Sequence, residues 1–476
     1  MPYIILASVL FSFFILFLII RTLMKNPKDH HEEKKIWTID ANHAYQSLSS
    51  MIQFPTVSYE NRMKVDQHAF ESLRSYLKER YPLLHQHATL SMHGLGMLYH
   101  LKGKESGQPI VLMSHYDVVP VVEGWKDDPF SGKIGEDTIY GRGALDTKHS
   151  LNAILEAIEW MLSKDKVFNH DLYLAFGGDE ETYGSSQVQI VEYFKQNHIK
   201  PYLVLDEGGA IVSNIFPGVH KKTAVVGIAE KGFMNLELRV KSRGGHASTP
   251  PKDSPLSILA KSIQKLHRHP SFKLSLTPPV QSLFDHVSPY STSFVIRLLF
   301  ANLWFFLPFV KWMAKLTGGE LLSLFQTTQA FTMMKGADAI NVLPSEATLG
   351  INYRLMPGDT SSHIMSRIKK IIGDERVEII THEISEASTI SIVDERYHMI
   401  EKSIHQTWPD VITSPYLMIA TSDSRRYHEI CDHVYKFSPM DVTSEDLKKI
   451  HGFDEDITKD NVIHGLYFYL NLLDQC

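Results

Sequence analysis

Apolar positions along this chain follow three different periods, and each period predicts a different element. From Tyr3 to Ile20 they are continuous, 18 residues without a charge. A run of that length predicts a membrane-spanning helix. A secretory signal would carry Lys or Arg ahead of the run and a small-residue cleavage site behind it. Neither is present, so the segment is expected to remain as a single-pass anchor. Arg21, Lys25 and Lys28 follow the run and favour a cytoplasmic location for the rest of the chain. Asp29, Glu32 and Glu33 dilute that signal, so the side of the membrane stays open.

Beyond a polar linker, apolar runs alternate with helical periods. "PIVLMSHYDVVPV", "HDLYLAFGG" and "PYLVLDEGG" read as buried strands. Between them, Leu151, Ile154, Leu155, Ile158, Met161 and Leu162 recur at helical spacing, and "SSQVQIVEYFKQNH" is a second helix. Apolar strands separated by helices predict an α/β fold, with a mostly parallel sheet flanked by helices on both faces. Near residue 230 the period becomes two. "GFMNLELRVKS" and "EATLGINYRLMPGD" alternate as half-exposed strands do, "SPLSILAKSIQKL" and "SHIMSRIKKII" are helical, and "RVEIITHEIS" is a further strand. This predicts a small α+β unit inserted into the larger one. The expected boundaries are an anchor over 1–24, a linker over 25–37, a first catalytic part over 38–229, a lid over 230–387 and a second catalytic part over 388–476.

The block from Phe294 to Leu316 fits neither pattern. Arg297, Asn302, Pro308 and Lys311 interrupt it, so a second membrane span is not expected. As an apolar insert of the lid, about 280–325, it has two readings. It packs as a buried helix pair, or it forms an amphipathic surface for lipid or greasy substrates. The second reading would make catalytic efficiency rise with the length of an acyl chain.

Composition narrows the class. The 476 residues are 43% hydrophobic and 21% charged, which fits a folded protein of more than one domain. A net charge of −6 leaves no electrostatic footprint for nucleic acid. Two cysteines cannot form a disulfide framework.

The chemistry sits at the predicted C-terminal strand ends, where sites form in open α/β sheets. "SHYD" supplies His115 and Asp117, "GALDTK" supplies Asp146, "GGDEET" supplies Glu180 and Glu181, "VLDEGG" supplies Asp206 and Glu207, and "VIHG" supplies His464. Adjacent carboxylates repel one another unless a cation sits among them. Imidazole and carboxylate ligands suit zinc. Two metals about 3.5–4 Å apart need a shared ligand and terminal ligands on each. Of two adjacent glutamates, one can then bind metal while its neighbour takes a proton. Asp117, two residues after His115, can accept the second ring N–H of that histidine and fix its tautomer.

The run "SHYDVVP…GWKDDPFSGKIGEDTIYGRGALDTK…GGDEE…LDEGG…RGGHAS…HG" resembles the zinc-dependent aminoacylase/carboxypeptidase family. That family holds aminoacylase, acetylornithine deacetylase, succinyl-diaminopimelate desuccinylase and carboxypeptidase G. The resemblance covers the chain from about residue 40 onward. "SYE", "GWKDDPFSG" and "TTQAFTMMKGADAINVLPSEA" are most similar to the branch of carboxypeptidase S and the N-fatty-acyl-amino-acid synthase/hydrolases. One departure is "DTKHS", where His149 and Ser150 stand at positions that many members fill with glycine.

The resemblance implies a zinc-exopeptidase-like catalytic domain with a dimerisation-type lid. It implies two zinc ions per subunit, with Co2+ or Mn2+ as substitutes. His115 and Asp206 would bind one zinc, Glu181 and His464 the other, and Asp146 would bridge. Glu180 would be the general base and Asp117 the support of His115. His246 would polarise the substrate carbonyl, and Asn341, Arg354 and Arg425 would hold the substrate carboxylate. The implied reaction cleaves an amide next to a free carboxylate, in a peptide or an N-acyl amino acid. The chain would work as a monomer or as a lid-mediated homodimer, held at the membrane by its N-terminal helix. A dipeptidase or short-acyl deacylase facing the cytoplasm is the alternative. A non-catalytic binding protein on the same fold would lack a ligand or the base, and none is missing.

Overall fold

The computed structural model describes the chain except residues 1, 28–31, 183, 270–271 and 318. Lys28, Asp29 and part of the expected linker therefore lie outside the described residues.

Three parallel strands carry the centre of the large unit. Glu105–His115 lies between His170–Gly177 and Leu203–Asp206, parallel to both. They read as continuous apolar runs because both faces are covered. Leu112, Leu174 and Leu205 face the core shared with helices Lys148–Leu162 and Lys459–Leu473. Val111, Ala175 and Val204 face helix Ser185–Gln196. Helix Lys148–Leu162 buries Leu151, Ile154, Leu155, Ile158 and Met161, the stripe its period predicts. Cutting one of them to alanine costs about 2–5 kcal/mol.

The sheet as a whole is mixed, which corrects the expectation of a mostly parallel one. Strands Ala88–His93 and Gly96–Leu101 pair antiparallel with each other, and the second pairs antiparallel with His170–Gly177. The turn between them is only Gly94 and Leu95, and a two-residue turn can join only antiparallel strands. Gly94 takes φ +62°, which suits glycine. At the other edge Ile211–Val212 runs antiparallel to Thr223–Glu230, while Ile412–Met418 runs parallel to it.

The small unit has its own core. Its four-stranded antiparallel sheet runs in the order Thr328–Lys335, Glu346–Leu355, Gly232–Lys241, Glu378–Ser385. Along Glu346–Leu355 every second residue is buried, as strand geometry requires. Helix Ser361–Ile372 puts Ile364, Ile368 and Ile372 on that buried face, four residues apart. Thr360 caps its start by accepting from the His363 N–H, and Gly373, at φ +52°, closes its end.

The apolar insert does not join this small core. Val280, Leu283, Phe284, Val287, Leu303, Val310 and Phe325 belong to the core of the large unit. Helix Pro278–Val287 packs on the edge strand Ile412–Met418. The insert is therefore neither a helix pair inside the lid nor a lining of the small sheet. Its outer helices, Phe294–Ala301 and Leu303–Thr317, meet the N-terminal helix Pro2–Met24 instead. That helix is long and apolar enough to cross a membrane, and little of it is buried by the rest of the chain.

Candidate metal centre

Register brings the acids together. His115 ends its strand directly opposite Gly177, so Asp117 and the run Asp179–Glu181 leave the sheet side by side. Asp117 organises the turn. Its carboxylate accepts the main-chain N–H groups of Glu180 at 3.2 Å and Glu181 at 3.1 Å, and the Ser58 hydroxyl. Its main-chain oxygen lies 3.0 Å from Nδ1 of His115, and its carboxylate 3.4 Å away. The imidazole support expected from Asp117 thus comes chiefly through its carbonyl. With Nδ1–H donating there, Nε2 of His115 is left free toward the cluster.

Asp179, the first of the three consecutive acids, has a separate role. It accepts the Ser186 N–H at 3.1 Å and the hydroxyls of Ser185 and Ser186, and so caps helix Ser185–Gln196. Glu180 and Glu181 are left for chemistry. Among the described residues no hydrogen bond or ion pair holds the Glu180 carboxylate.

Two donor sets share Asp146. In the first, His115 Nε2 lies 3.1 Å from Asp146 Oδ1 and 3.2 Å from Glu207 Oε1. In the second, His451 Nε2 lies 2.9 Å from Asp146 Oδ2 and 3.1 Å from Glu181 Oε2. Within each set the donor atoms lie within 4.8 Å of one another. One imidazole and one terminal carboxylate on each side of a common aspartate fit two cations such as zinc.

Two expected ligands are not in these sets. Asp206 turns away, and its Oδ2 accepts the Ser424 N–H at 3.1 Å. Its neighbour Glu207 takes the place beside His115, because successive residues at a strand end point to opposite faces. His464 sits within helix Lys459–Leu473, its ring 5.4 Å from that of Trp408. Burial, with Lys34 nearby, lowers its pKa. His451 stands instead in the loop ahead of strand Asp456–Thr458. The signal for it was "HGFDED". His451 takes a left-handed φ of +58°, and four residues on, Glu455 pins the same loop from inside. Glu455 accepts the N–H groups of Leu145 at 2.7 Å and Asp146 at 3.1 Å, and pairs with buried Arg142 at 2.8 Å. It thereby holds the Asp146 turn.

The electrostatics are those of a site that needs positive charge. Burial raises Glu180 well above the carboxylate range, with Asp423, Glu207 and Glu181 adding to it against His115. Burial pushes Glu207 up to about 7, and Glu181 is raised by burial and Asp146. For Asp146, burial is outweighed by hydrogen bonds from His115 and His451, which hold its carboxyl well below the usual range. Burial also lowers His149, the departure from the family pattern, to about 4. It is a neutral buried ring beside the cluster, with its Nε2 3.1 Å from the Ser150 hydroxyl.

Asp423 is a residue the sequence reading missed. It is buried, one of its oxygens has no partner, and Gly184 leaves room for it: a Cβ there would meet Asp423 Oδ1 at 1.8 Å. Burial, opposed by Arg425 and reinforced by Asp206 and Asp179, pushes its carboxyl up to about 8. An unfolded aspartate titrates near ~3.9. Between about pH 4 and 8 the native state therefore holds a proton that the unfolded chain has lost, and stability falls as pH rises. Asp423→Asn cannot ionise. Its melting temperature relative to wild type should rise steadily across that window. Parallel pH profiles for the two proteins would show that this carboxyl is not protonated in the native state.

None of the four substrate-binding candidates supplies a donor atom to either set. His246 lies in the two-stranded ribbon of Gly245–His246 with Val342–Leu343, and Asn341 stands just ahead of the second strand, where its carbonyl accepts the Ala247 N–H at 3.1 Å. Nδ1 of His246 accepts the Ser248 N–H at 3.1 Å, so the neutral ring carries its proton on exposed Nε2. Arg354 and Arg425, one from each unit, flank the ring of Phe233, with their guanidinium carbons 5.9 and 5.5 Å from its centroid. Arg425 Nε is buried without a partner, and burial beside Arg425 lowers the pKa of Arg354.

Residues 111–475 match the profile of peptidase family M20/M25/M40. Probable carboxypeptidase S-like 2 of Dictyostelium discoideum is 37% identical over 440 residues, covering 90% of this chain and 84% of that protein. The N-fatty-acyl-amino acid synthase/hydrolase PM20D1 of Homo sapiens is 30% identical over 427 residues, covering 87% and 84%. The crystal structure of the M20 family metallo-carboxypeptidase Sso-CP2 from Sulfolobus solfataricus matches with a TM-score of 0.68 at 19% identity, over 90% of this chain and 98% of that one. These matches bear out the family resemblance read from the motifs.

Proposed function

The chain belongs to peptidase family M20/M25/M40 and is a metallopeptidase or amidohydrolase, and we propose that it cleaves an amide next to a free carboxylate. The substrate is then a C-terminal peptide bond or an N-acyl amino acid. The observation that carries this reading is the pair of guanidiniums over Phe233. Two like charges from different units, close together and partly desolvated, are stabilised by an anion between them. A planar carboxylate suits the fork of a guanidinium. Arg425 also follows Ser424, whose N–H binds Asp206 next to Glu207, so this clamp adjoins the donor sets.

The chain's residues divide the work. His115, Asp146 and Glu207 would hold one cation, and Asp146, Glu181 and His451 the other, with zinc the best match to these donors. Bound cations would polarise the scissile carbonyl and ease ionisation of water. Glu180 takes the proton of the attacking water and returns it to the leaving nitrogen. Its raised pKa suits both steps. His246, with its proton on Nε2, donates to the carbonyl oxygen as negative charge develops there, once the small unit brings it to the site. Helix Pro2–Met24 serves as the membrane anchor.

Kinetics on a panel of long-acyl amino acids, short-acyl amino acids and dipeptides will test the reading. Arg354→Met and Arg425→Met should each raise KM by about 10-fold or more, the loss of a charge-assisted pair, and spare substrates whose carboxylate is amidated. Equal losses on both substrate types would remove the clamp from the account. The same panel separates the peptidase from the acyl-amino-acid hydrolase.

A further inference from the structure

The N-terminal helix does not swing free of the folded chain. Asn302 donates to the Leu18 carbonyl at 3.3 Å and the Thr22 hydroxyl at 2.8 Å, and Arg297 donates to the Lys25 carbonyl at 2.5 Å. Lys25 pairs with Asp285. Further up, Phe14 meets Trp304 and Phe305 edge-on, with ring centroids 6.4 and 4.8 Å away. Contact thus runs from Phe14 to Lys25, about 16 Å of helix at 1.5 Å per residue. The hydrocarbon core of a bilayer is about 30 Å thick. Where the helix crosses a bilayer, the insert beside it is held about one leaflet deep.

The insert's outer face suits that depth. On helix Leu303–Thr317, Phe305, Phe309 and Trp312 follow one another by four and three residues and so share a face. They are 39%, 44% and 57% exposed, and neighbouring Trp304 is 44% exposed. Four large aromatic groups left open together mark a contact surface rather than scattered surface residues. Arg21 of the N-terminal helix lies over the Trp304 ring, 5.7 Å from its centroid. Asn302 and Arg297 spend their hydrogen bonds on the N-terminal helix. Among the described residues, Pro2–Met24 is the one helix long and apolar enough to cross a membrane, and the face is continuous with it, which favours lipid as its occupant.

We propose that the aromatic face of helix Leu303–Thr317 inserts into one leaflet of the bilayer that Pro2–Met24 spans. The large unit is then seated on lipid by two packed elements, with a fixed orientation, rather than hung from a tether. This rests on the anchor reading above.

The test uses the full chain in phosphatidylcholine vesicles whose acyl chains are brominated. The N-terminal helix contains no tryptophan, so Trp304 and Trp312 are the ones placed to meet bromine. Up to a third of the emission should be quenched, the share of two tryptophans in six. The quenching should vanish in the double variant Trp304→Phe, Trp312→Phe. Vesicle flotation separates the two readings. Protein that floats without quenching overturns the leaflet contact and leaves the anchor standing. Protein that does not float overturns both. A concentration-dependent dimer with unquenched tryptophans would give the face to a second copy and also overturns the proposal.

Discussion

Replacing His451 by alanine should abolish binding of the cation proposed for the second donor set and lower kcat/KM by at least about 10²-fold, since even indirect supports of a metal site cost 10–100-fold. Among the described residues, His451 alone carries imidazole to the second donor set, 2.9 Å from Asp146 and 3.1 Å from Glu181. Without it the two carboxylates face each other with no imidazole between them. The hydrogen bonds that raise His451 to about 10 show how strongly this pair draws positive charge. His464→Ala should leave metal content and turnover near wild type, because that ring packs on Trp408 instead. Elemental analysis of the two purified variants, with kinetics alongside, distinguishes them. Metal loss in His464→Ala with full occupancy in His451→Ala would reverse the assignment.

The second large effect concerns two neighbours that should fail differently. Glu180→Gln should cut kcat by about 10²–10⁴, the usual contribution of a positioned base, while retaining both cations. Its main-chain N–H still bonds Asp117, so the turn stands. Glu181→Gln should lose the cation of the His451 set, because its carboxylate is a donor there. Equal metal loss in both variants, or a Glu180→Gln enzyme that still turns over, would end this division of roles.

Much of this site was legible before any coordinates. Apolar runs ending in "SHYD", "GGDEE" and "LDEGG" gave three strand ends, and the helical period after Asp146 gave the fourth element. Chain connectivity alone brings those ends to one edge, because parallel strands joined by crossover helices all point the same way. His115, Asp146, Glu180 and Glu181 were singled out on that basis; His115, Asp146 and Glu181 belong to the two donor sets, and Glu180 is buried close to His115, Glu207 and Glu181. The rest needed the third dimension. Asp206 and Glu207 are equally plausible on paper. Only the twist and register of Leu203–Asp206 against Glu105–His115 decide which one faces His115. His464 and His451 lie 13 residues apart, each followed by glycine. The first is fixed by a helix whose packing aims it at Trp408, and the second by a loop that Glu455 and Arg142 pull against Asp146.

The insert shows the same boundary. Its composition determined that large apolar surfaces had to be covered, since Phe, Trp and Leu recur too densely for a solvated loop. What covers them was not a local property. Val280, Phe284 and Phe325 go to the large core, Asn302 goes to the N-terminal helix, and Phe305, Phe309 and Trp312 are left outside. Periods of two and 3.6 residues are set by bonds and sterics within a few residues, so the sequence by itself determined the elements and their chemistry. Which side chain meets which across 30 to 300 positions depends on how those elements pack, and only the tertiary structure decided that.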